Sequence, residues 1–355
     1  MATRIVIIGG FLGAGKTTII NRIAKALHQD GKNVALITND QGEALVDTQY
    51  CAAQGMQVAE VQRGCFCCRF DDFMFSARSL VGRHSPDYIL AEPVGSCTDL
   101  LATVVAPLKV LYPREFTVAP LIILVDAERA IGAGFDSDSI GDYLRRHQIQ
   151  EGELIVLSKM DKVTGEELEQ VRDIVGEINP TAEVVPHSSM TGRGLDHILR
   201  VIGSDRVSGR TPVHVDYEIY AQAEAELGWY NGTYRFHAHR ADSYDLATKV
   251  LRGIAAQYQP DDIAHAKVML TSESNAVKIS AVLSSITVDS VKGSRYSEGN
   301  VIMTVNARIV SSPEVLQTVV RNSVQKTMEG SSLSLEGFED ECFSPSRPNP
   351  THRMI

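Results

Sequence analysis

Short apolar runs alternate with longer segments of helical periodicity through the first 200 residues of the chain. Five continuous apolar runs have the length of buried strands. They are residues 5–8, 34–38, 88–91, 121–125 and 154–157. Segments such as 19–27 and 165–178 place apolar side chains three and four residues apart, which predicts amphipathic helices. This alternation predicts an α/β domain whose mainly parallel sheet is flanked by helices.

The pattern changes after a polar, glycine-containing stretch at residues 203–211, so we place the first domain at 1–203. Residues 212–330 predict a smaller α+β domain with an antiparallel sheet and two helices. The predicted strands are 214–223, 230–239, 266–271, 276–283 and 301–310, and the predicted helices are 244–258 and 313–328. Residues 338–355 form a proline-rich tail, which is either disordered or an extended strap lying on a neighbour.

Length and charge narrow the classes of function. The 355 residues are typical of two domains, and the formal net charge of -10 argues against a general nucleic-acid or anionic-membrane surface. No apolar run approaches the ~20 residues of a membrane helix. The chain enters a strand within its first few residues and has no signal-peptide layout. We therefore expect a cytoplasmic protein without nucleic-acid or membrane partners.

A glycine-rich turn joins the first predicted strand to the first predicted helix and matches the pattern G-x-x-x-x-G-K-[ST]. Glycines let backbone N–H groups surround an anion, and the helix N-terminus adds its dipole. We interpret the turn as a phosphate-binding loop, with Lys16 at the β- and γ-phosphates and the Thr17 hydroxyl on Mg²⁺. The nucleotide-binding residues predicted here are Gly10, Gly13, Ala14, Gly15, Lys16, Thr17 and Thr18.

The segment Ser158-Lys159-Met160-Asp161 follows a late buried run and is the candidate base-reading loop. The Asp161 carboxylate can accept two hydrogen bonds from N1–H and the exocyclic amine of guanine, which adenine does not supply. The Lys159 stem can lie along the base. Ser158 stands where GTPases usually have asparagine, which makes the choice of GTP over ATP less secure. A loop that only opens the next helix is the alternative.

Two acidic residues are candidates for the magnesium site and for catalysis. Mg²⁺ takes one or two ligands from protein carboxylates or hydroxyls, and Asp40, in the polar loop after the second strand, is the best carboxylate candidate. Glu92 ends an apolar strand three residues before Gly95 and could orient or deprotonate the attacking water. Lys16 and Glu92 are therefore the predicted catalytic residues. Asp126 is a weaker rival, and a solvated loop acid is the alternative for each carboxylate.

Three of the six cysteines, Cys65, Cys67 and Cys68, lie within four positions. Thiolates are soft ligands that suit Zn²⁺ and related transition-metal ions. Cys65 and Cys67 point the same way in an extended segment, whereas Cys68 needs a turn to join them. The pattern predicts a transition-metal site, and a set of buried or redox-active thiols is the alternative.

Three thiolates leave a fourth ligand position open. Glu43, Asp47, a histidine, water or a ligand from a partner could fill it, and an open position suits a site that passes metal on. The isolated Cys51 and Cys97 are interpreted as packed core residues.

Five segments together resemble the CobW/HypB/UreG family of P-loop GTPases, and within it the CobW-like metallochaperone branch. They are Gly-Gly-Phe-Leu-Gly-Ala-Gly-Lys-Thr-Thr at 9–18, Asn-Asp-Gln-Gly at 39–42, Gly-Cys-Phe-Cys-Cys at 64–68, Glu-Pro-Val-Gly at 92–95 and Ser-Lys-Met-Asp at 158–161. The resemblance covers about residues 3–202 and implies a P-loop NTPase domain with slow GTP hydrolysis. It also implies delivery of zinc, cobalt or nickel to a client, or guarding of a corrinoid cofactor.

The resemblance also assigns roles by position. It implies that Lys16 and Thr17 bind phosphate and Mg²⁺, that Asp40 lies in the first switch and that Glu92 belongs to a Walker-B-like segment. It implies that the transition metal is held by Cys65, Cys67 and Cys68. The chain departs from the family at Ser158, at Asn-Asp-Gln-Gly in place of the commoner Asn-Glu-Phe-Gly, and in its second domain, which has no histidine-rich run.

These observations predict a GTP-hydrolysing metallochaperone that uses GTP, Mg²⁺ and Zn²⁺, or Co²⁺ or Ni²⁺ in place of zinc. Its expected partner is a client metalloprotein or a corrinoid protein, and a homodimer is an open alternative for the oligomeric state. Two other functions stay open. One is an activator or scaffold for a corrinoid enzyme, with regulatory cysteines, and the other is a P-loop kinase acting on a small molecule.

Overall fold

The computed structural model describes residues 2–39, 51, 56–62, 64–133, 135, 140–273, 275–283, 285–329, 331 and 333–355. These residues divide into two units, which are treated separately below. The main part of the first unit ends at Ala223, and the segment Pro348–Ile355 also belongs to it. The second unit includes Glu224–Arg347. In the described part of the chain, no helix is long and apolar enough to cross a membrane.

Strands and helices alternate through the first unit. Its strands are β1 (Thr3–Gly10), β2 (Val34–Asn39), β3 (Gln57–Val61), β4 (Tyr88–Glu92), β5 (Phe116–Val118), β6 (Ile122–Asp126), β7 (Leu154–Ser158) and β8 (Glu183–Pro186). Its helices are α1 (Lys16–Gln29), α2 (Phe70–His84), α3 (Ala106–Leu111), α4 (Ala127–Ala133), α5 (Ile140–Glu151), α6 (Gly165–Ile178), α7 (Leu195–Gly203) and α8 (Tyr217–Ala225). A π-helical turn, Leu101–Val105, leads into α3, and a 3-10 turn, Met160–Lys162, follows β7.

The strands of this unit pair in parallel in the order β3-β2-β4-β1-β6-β7-β8, and β5 also pairs with β1. The central strands are apolar over almost their whole length, because helices cover both faces of a parallel sheet. All carboxyl ends of the strands therefore lie at one edge, where ligands bind in open α/β sheets. Gly10, Asn39, Glu92 and Ser158 each end a strand at this edge.

The second unit is an antiparallel sheet with helices on one face. Its strands are β9 (Leu227–Asp242), β10 (Ile263–Thr271), β11 (Ala276–Val282), β12 (Ser285–Lys292), β13 (Tyr296–Val310) and β14 (Leu333–Phe343), in the order β12-β11-β10-β13-β9-β14. Helices α9 (Ser243–Ala255) and α10 (Pro313–Glu329) pack their apolar sides, including Leu251 and Val320, into one core with inward-facing sheet residues such as Val268 and Val305.

The fold class predicted from the sequence is confirmed, since a mainly parallel sheet flanked by helices is joined to a smaller domain with an antiparallel sheet. One predicted strand is wrong. Residues 214–223 alternate weakly in polarity, but the segment forms helix α8. Asp216 accepts hydrogen bonds from the N–H groups of Glu218 (2.8 Å) and Ile219 (3.3 Å) and so starts the helix. Tyr220 and Ala223, three residues apart, are buried on one side of it.

Two edge strands and several helices were not predicted from the sequence. Strands β12 and β14 are the outer members of the antiparallel sheet, and their half-exposed pattern gives little hydrophobic signal. Residues 338–343, which the sequence analysis assigned to the tail, belong to β14. There the ring of Phe338 stacks on Tyr234 of β9, with centroids 5.6 Å apart.

Candidate functional site

The glycine-rich turn after β1 has the backbone conformation of a phosphate-binding loop. Gly10, Gly13 and Gly15 have φ angles of 128°, 79° and 91°, which favour glycine. A Cβ on Gly10 would lie 2.5 Å from the carbonyl oxygen of Leu124, so no other residue fits there. Gly15 has no side chain to cap α1, which begins at the next residue, so the first amides of the helix face the turn.

Lys16 and Thr17 start α1 beside this turn and are both buried, whereas Thr18 is half-buried. The ammonium group of Lys16 donates to the carbonyl oxygens of Gly10 (2.8 Å) and Phe11 (3.3 Å), so the only charged side chain of the loop lies along its backbone. A bound γ-phosphate would compete with these two carbonyl oxygens for the N–H donors of Lys16, because the ammonium group can donate in several directions.

The Thr17 hydroxyl donates to the Glu92 carboxylate at 3.0 Å, which joins the phosphate loop to the end of β4. A hydroxyl and a carboxylate in contact are the hard oxygen donors that Mg²⁺ prefers, so these two residues fit the predicted magnesium ion. Glu92 is 8% exposed, which suits a carboxylate that acts on a bound water and not one that faces bulk solvent. The other predicted ligand, Asp40, lies outside the described residues.

The backbone after Glu92 packs directly on the phosphate loop. A Cβ on Gly95 would lie 2.7 Å from a methyl carbon of Leu12 and 3.0 Å from its backbone nitrogen, so any larger residue would push the phosphate loop away from this turn. The buried amide of Gln148 then donates to the carbonyl oxygens of Gly95 (3.0 Å) and Cys97 (2.8 Å). The turn after β4 is therefore held between the phosphate loop and α5, and a displacement at Gly95 reaches Cys97.

The predicted base-reading loop is tied to the phosphate loop. The Ser158 hydroxyl donates to the carbonyl oxygen of Ala14 at 2.8 Å, so this side chain braces the loop. Lys159 has a φ of 57°, and its ammonium group pairs with the Asp126 carboxylate at 2.6 Å. Asp161 follows in the 3-10 turn with its side chain exposed.

Asp126, the weaker rival for a catalytic acid, has a structural role here. Its carboxylate accepts from the backbone N–H groups of Glu128 (3.1 Å) and Arg129 (3.3 Å), which begin α4. The same carboxylate neutralises Lys159. With both oxygens engaged in this way, Asp126 is satisfied without a metal or a nucleotide.

The three clustered cysteines meet in space. The loop turns back on itself, because the N–H groups of Cys68 (3.0 Å) and Arg69 (2.9 Å) both donate to the carbonyl oxygen of Cys65. The Sγ atoms are 2.7 Å apart for Cys65 and Cys67, 3.2 Å for Cys65 and Cys68, and 3.8 Å for Cys67 and Cys68. Sulfurs at such separations can bind one ion together, since Zn–S bonds are about 2.3 Å. Glu43 and Asp47, the predicted fourth ligands, lie outside the described residues.

The thiols of this cluster differ in acidity. The pKa of Cys65 lies well below the usual thiol value, because hydrogen bonds with the thiols of Cys67 and Cys68 stabilise its thiolate form. The hydrogen bond between Cys65 and Cys68 raises the pKa of Cys68 to about 12. Cys65 is thus the first thiolate of the set, and a soft metal ion would replace the protons that the other two carry.

Asn39, at the end of β2, holds the cysteine loop in place, a role that the sequence analysis did not assign. Its side-chain amide donates to the carbonyl oxygens of Val61 (2.9 Å) and Gly64 (2.7 Å), and its side-chain oxygen accepts from the N–H of Phe66 at 2.8 Å. All three partners flank the cysteines. The sequence pointed to Asn39 only as the first residue of the segment 39–42, which resembles the first switch of the family.

Residues 349–353 lie as an extended strap against the cysteine loop. The N–H of Asn349 donates to the sulfur of Cys68 at 3.2 Å, and the N–H of Thr351 donates to the carbonyl oxygen of Cys67 at 2.8 Å. Of the two alternatives left open by the composition of the tail, the strap is the one that the structure shows. An N–H donor on a thiolate is the kind of contact that surrounds metal-bound sulfur.

The strap is anchored at a buried acid beyond the Gly95 turn. The guanidinium of Arg353 donates to the carboxylate of Asp99 at 2.7 Å, and the Tyr217 hydroxyl donates to the same oxygen at 2.8 Å. Asp99 is 1% exposed, so its charge depends on these partners. The strap therefore contacts both the cysteine loop and the segment that follows the Gly95 turn.

Glu151, at the end of α5, fixes the backbone around Asp99. Its carboxylate accepts from the N–H groups of Asp99 (2.7 Å) and Leu101 (2.9 Å) and from the hydroxyl of Thr98 (2.9 Å). Burial raises the pKa of this carboxyl to about 7. The segment between the Gly95 turn and α3 is therefore held by polar contacts that are inaccessible to water.

The chain is similar in sequence to several known proteins. A family model described as "CobW/HypB/UreG, nucleotide-binding domain" matches residues 4–186. The chain is 32% identical to "Zinc chaperone CobW" of Sinorhizobium sp over 198 residues, or 48% of this chain and 54% of that protein. It is 29% identical to "Zinc chaperone CobW" of Pseudomonas aeruginosa over 250 residues, or 60% of this chain and 64% of that protein. The chain thus spans between half and two thirds of the length of these relatives.

Among solved structures, the Zn(II)-bound YjiA GTPase from E. coli aligns with a TM-score of 0.41 at 17% identity. The alignment covers 91% of this chain and 99% of that chain.

Replacing Asn39 with alanine tests whether the clamp supports metal binding. Asn39→Ala removes three hydrogen bonds from the cysteine loop, and we expect Zn²⁺ affinity to fall about 10- to 100-fold, the effect of losing a contact that orients metal ligands. Competition with a chromophoric chelator measures this affinity. Gln62→Ala, an exposed change next to the same loop, is the matched control and should leave it unchanged. Equal affinities in the two variants would show that the clamp is unrelated to metal binding.

Proposed function

Because the chain belongs to the CobW/HypB/UreG family, we propose that it binds and hydrolyses GTP and carries a transition metal at Cys65, Cys67 and Cys68. In this proposal the metal is cargo that passes to a client metalloprotein or serves a corrinoid system. Support for zinc comes from the relatives named zinc chaperones and from the soft thiolate donors. Co²⁺ and Ni²⁺ are the rival cargoes.

The single observation that carries the proposal is the shared framework of the two sites. The cysteine loop is held by Asn39 at the end of β2, and the phosphate loop contacts the end of β4 through Thr17 and Glu92. Strands β2 and β4 are hydrogen-bonded neighbours in one sheet. A nucleotide-dependent movement at this edge therefore acts on the backbone that supports the metal ligands, which is the physical basis of a switch.

Hydrolysis at this site would depend on positioning and charge. Mg²⁺, when bound, neutralises the charge that develops on the phosphate oxygens. Lys16 binds the β- and γ-phosphates, and the amides at the start of α1 surround them. Glu92 orients the attacking water and accepts its proton directly or through the Thr17 contact. These residues act mainly by electrostatic stabilisation, which needs no covalent intermediate on the protein.

Mutation of the metal loop should separate the two binding functions. Cys67→Ser removes one of three clustered sulfurs, and we expect Zn²⁺ affinity to fall at least about 100-fold while the affinity for a fluorescent GTP analogue, measured without zinc, stays the same. Titration of the full chain under anaerobic conditions measures both. Cys342→Ser, a partly buried cysteine on β14, is the control and should keep wild-type affinities. Wild-type zinc affinity in Cys67→Ser would exclude the cysteine loop as the metal site.

Mutation of the base-reading loop should reveal the nucleotide. Asp161→Asn replaces a carboxylate, which accepts two hydrogen bonds, with an amide that has only one acceptor oxygen. The NH₂ group of the amide would face one of the two guanine N–H donors, so we expect GTP affinity to fall about 100-fold. Xanthosine triphosphate, which presents an oxygen in place of the exocyclic amine, should regain binding to this variant. Asp173→Asn, an exposed change on α6, is the control. If Asp161→Asn binds GTP normally and the wild type binds ATP equally well, Asp161 does not read a guanine.

A further inference from the structure

Cys97, which the sequence analysis interpreted as a packed core residue, lies against the cysteine cluster. Its thiol is close enough to interact with the thiols of both Cys65 and Cys67. Cys97 is only 1% exposed, and its backbone is fixed by the turn in which its N–H donates to the carbonyl oxygen of Val94 at 3.0 Å. The side chain therefore does more than fill space among hydrocarbon groups, since it adds a fourth sulfur to the group of three.

We propose that Cys97 is the fourth metal ligand, so that the cargo ion binds to four thiolates from Cys65, Cys67, Cys68 and Cys97. This inference rests on the proposed metal-binding function and deepens it by naming the complete ligand set. Four thiolates in a tetrahedron are a preferred environment for Zn²⁺, with sulfurs about 3.8 Å apart when each Zn–S bond is about 2.3 Å. The three clustered sulfurs lie 2.7–3.8 Å apart.

The surroundings of the four sulfurs match a metal site. Cys97 interacts with Cys65 and Cys67, whereas the strap contacts Cys68 through the N–H of Asn349 on its sulfur. Among the described residues, the sulfurs that all lie within 4.8 Å of one another are those of Cys65, Cys67 and Cys68, so closure around one ion requires the sulfurs of Cys97 and Cys68 to approach each other. Cys68 is the least buried of the four and can move with the least disruption of the core.

The fourth ligand comes from a different segment than the other three. Cys65, Cys67 and Cys68 are on the loop clamped by Asn39, whereas Cys97 follows two residues after Gly95, which contacts the phosphate loop at Leu12. Gln148 ties the carbonyl oxygens of Gly95 and Cys97 together, so the two residues move as one piece.

This arrangement gives the nucleotide a direct effect on the metal. A phosphate that displaces Gly95 also displaces the sulfur of Cys97, while the other three thiolates stay with their own loop. Four thiolates form a closed site that retains zinc, and three thiolates leave an open position at which a client ligand can attack. Withdrawal of the Cys97 sulfur would thus convert a site that retains zinc into one that can transfer it to a client.

Counting sulfurs around the metal tests the ligand set. We expect X-ray absorption spectroscopy at the zinc edge, on the reduced full chain with one equivalent of Zn²⁺, to give four sulfur neighbours. Cys97→Ser should give three sulfurs with one oxygen or nitrogen, and its zinc affinity should fall about 100-fold, because each of four ligands supplies roughly a quarter of the binding free energy of such a site. Cys342→Ser, the matched control, should keep four sulfurs and wild-type affinity.

Three sulfurs in the wild type, or no change on Cys97→Ser, would overturn the inference. If Cys97→Ser fails to fold, as judged by its affinity for a GTP analogue, the wild-type sulfur count still decides. The outcome also separates the inference from the function on which it rests. Loss of zinc in Cys67→Ser together with three sulfurs in the wild type would reject only the role of Cys97. Unchanged zinc binding in Cys67→Ser would reject the proposed function itself.

Discussion

The close approach of Gly95 to Leu12 is the constraint on which the site depends. At this point the backbone after β4 lies so near the phosphate loop that a single added carbon would lie 3.0 Å from the Leu12 nitrogen. The segment that would sense a γ-phosphate therefore packs directly on the loop that would bind it. The Thr17–Glu92 hydrogen bond fixes the start of the same segment, so its position is set by the phosphate loop at two places.

Polar contacts carry this constraint toward the cysteines. Gln148 joins Gly95 to Cys97, and Glu151 fixes the backbone around Asp99 with a carboxylate whose pKa is raised to about 7 by burial. Arg353 of the strap ends on Asp99. Buried polar groups of this kind have few alternative partners, so they tend to move together or not at all. A series of such contacts allows the segment between the phosphate loop and the cysteines to have two discrete conformations instead of deforming gradually.

Sequence patterns predicted the architecture well because strand and helix periodicity is a local property. The alternation of apolar runs and amphipathic segments indicated the parallel sheet, and the structure places the glycine loop, Glu92 and Ser158 at one edge of it. The wrong strand at 214–223 shows the limit, since an N-cap at Asp216 and burial of Tyr220 outweigh a weak alternation. Edge strands β12 and β14 lack the hydrophobic signal that the central strands have.

The parts of the site that could not be predicted depend on contacts between distant segments. Cys97 has no spacing relation to Cys65 or Cys67, and only the packing of the β4 turn brings their sulfurs together. The clamp by Asn39 and the strap at Asn349 likewise join residues far apart in the sequence. The composition of the tail did not decide whether it is disordered or bound. A proline-rich segment buries little apolar surface by itself, so its conformation depends on the surface that it contacts.

The measurement that tests the central claim most directly is the zinc affinity of the full chain with a non-hydrolysable GTP analogue, with GDP and without nucleotide. If the phosphate loop controls the cysteine site, affinity should differ between the GTP-analogue and GDP states by at least about fivefold, the lower end of common coupling between two sites. The GTP analogue should then be bound with an affinity that depends on zinc by the same factor, because coupling is reciprocal. Identical zinc affinities in all three states would contradict the account.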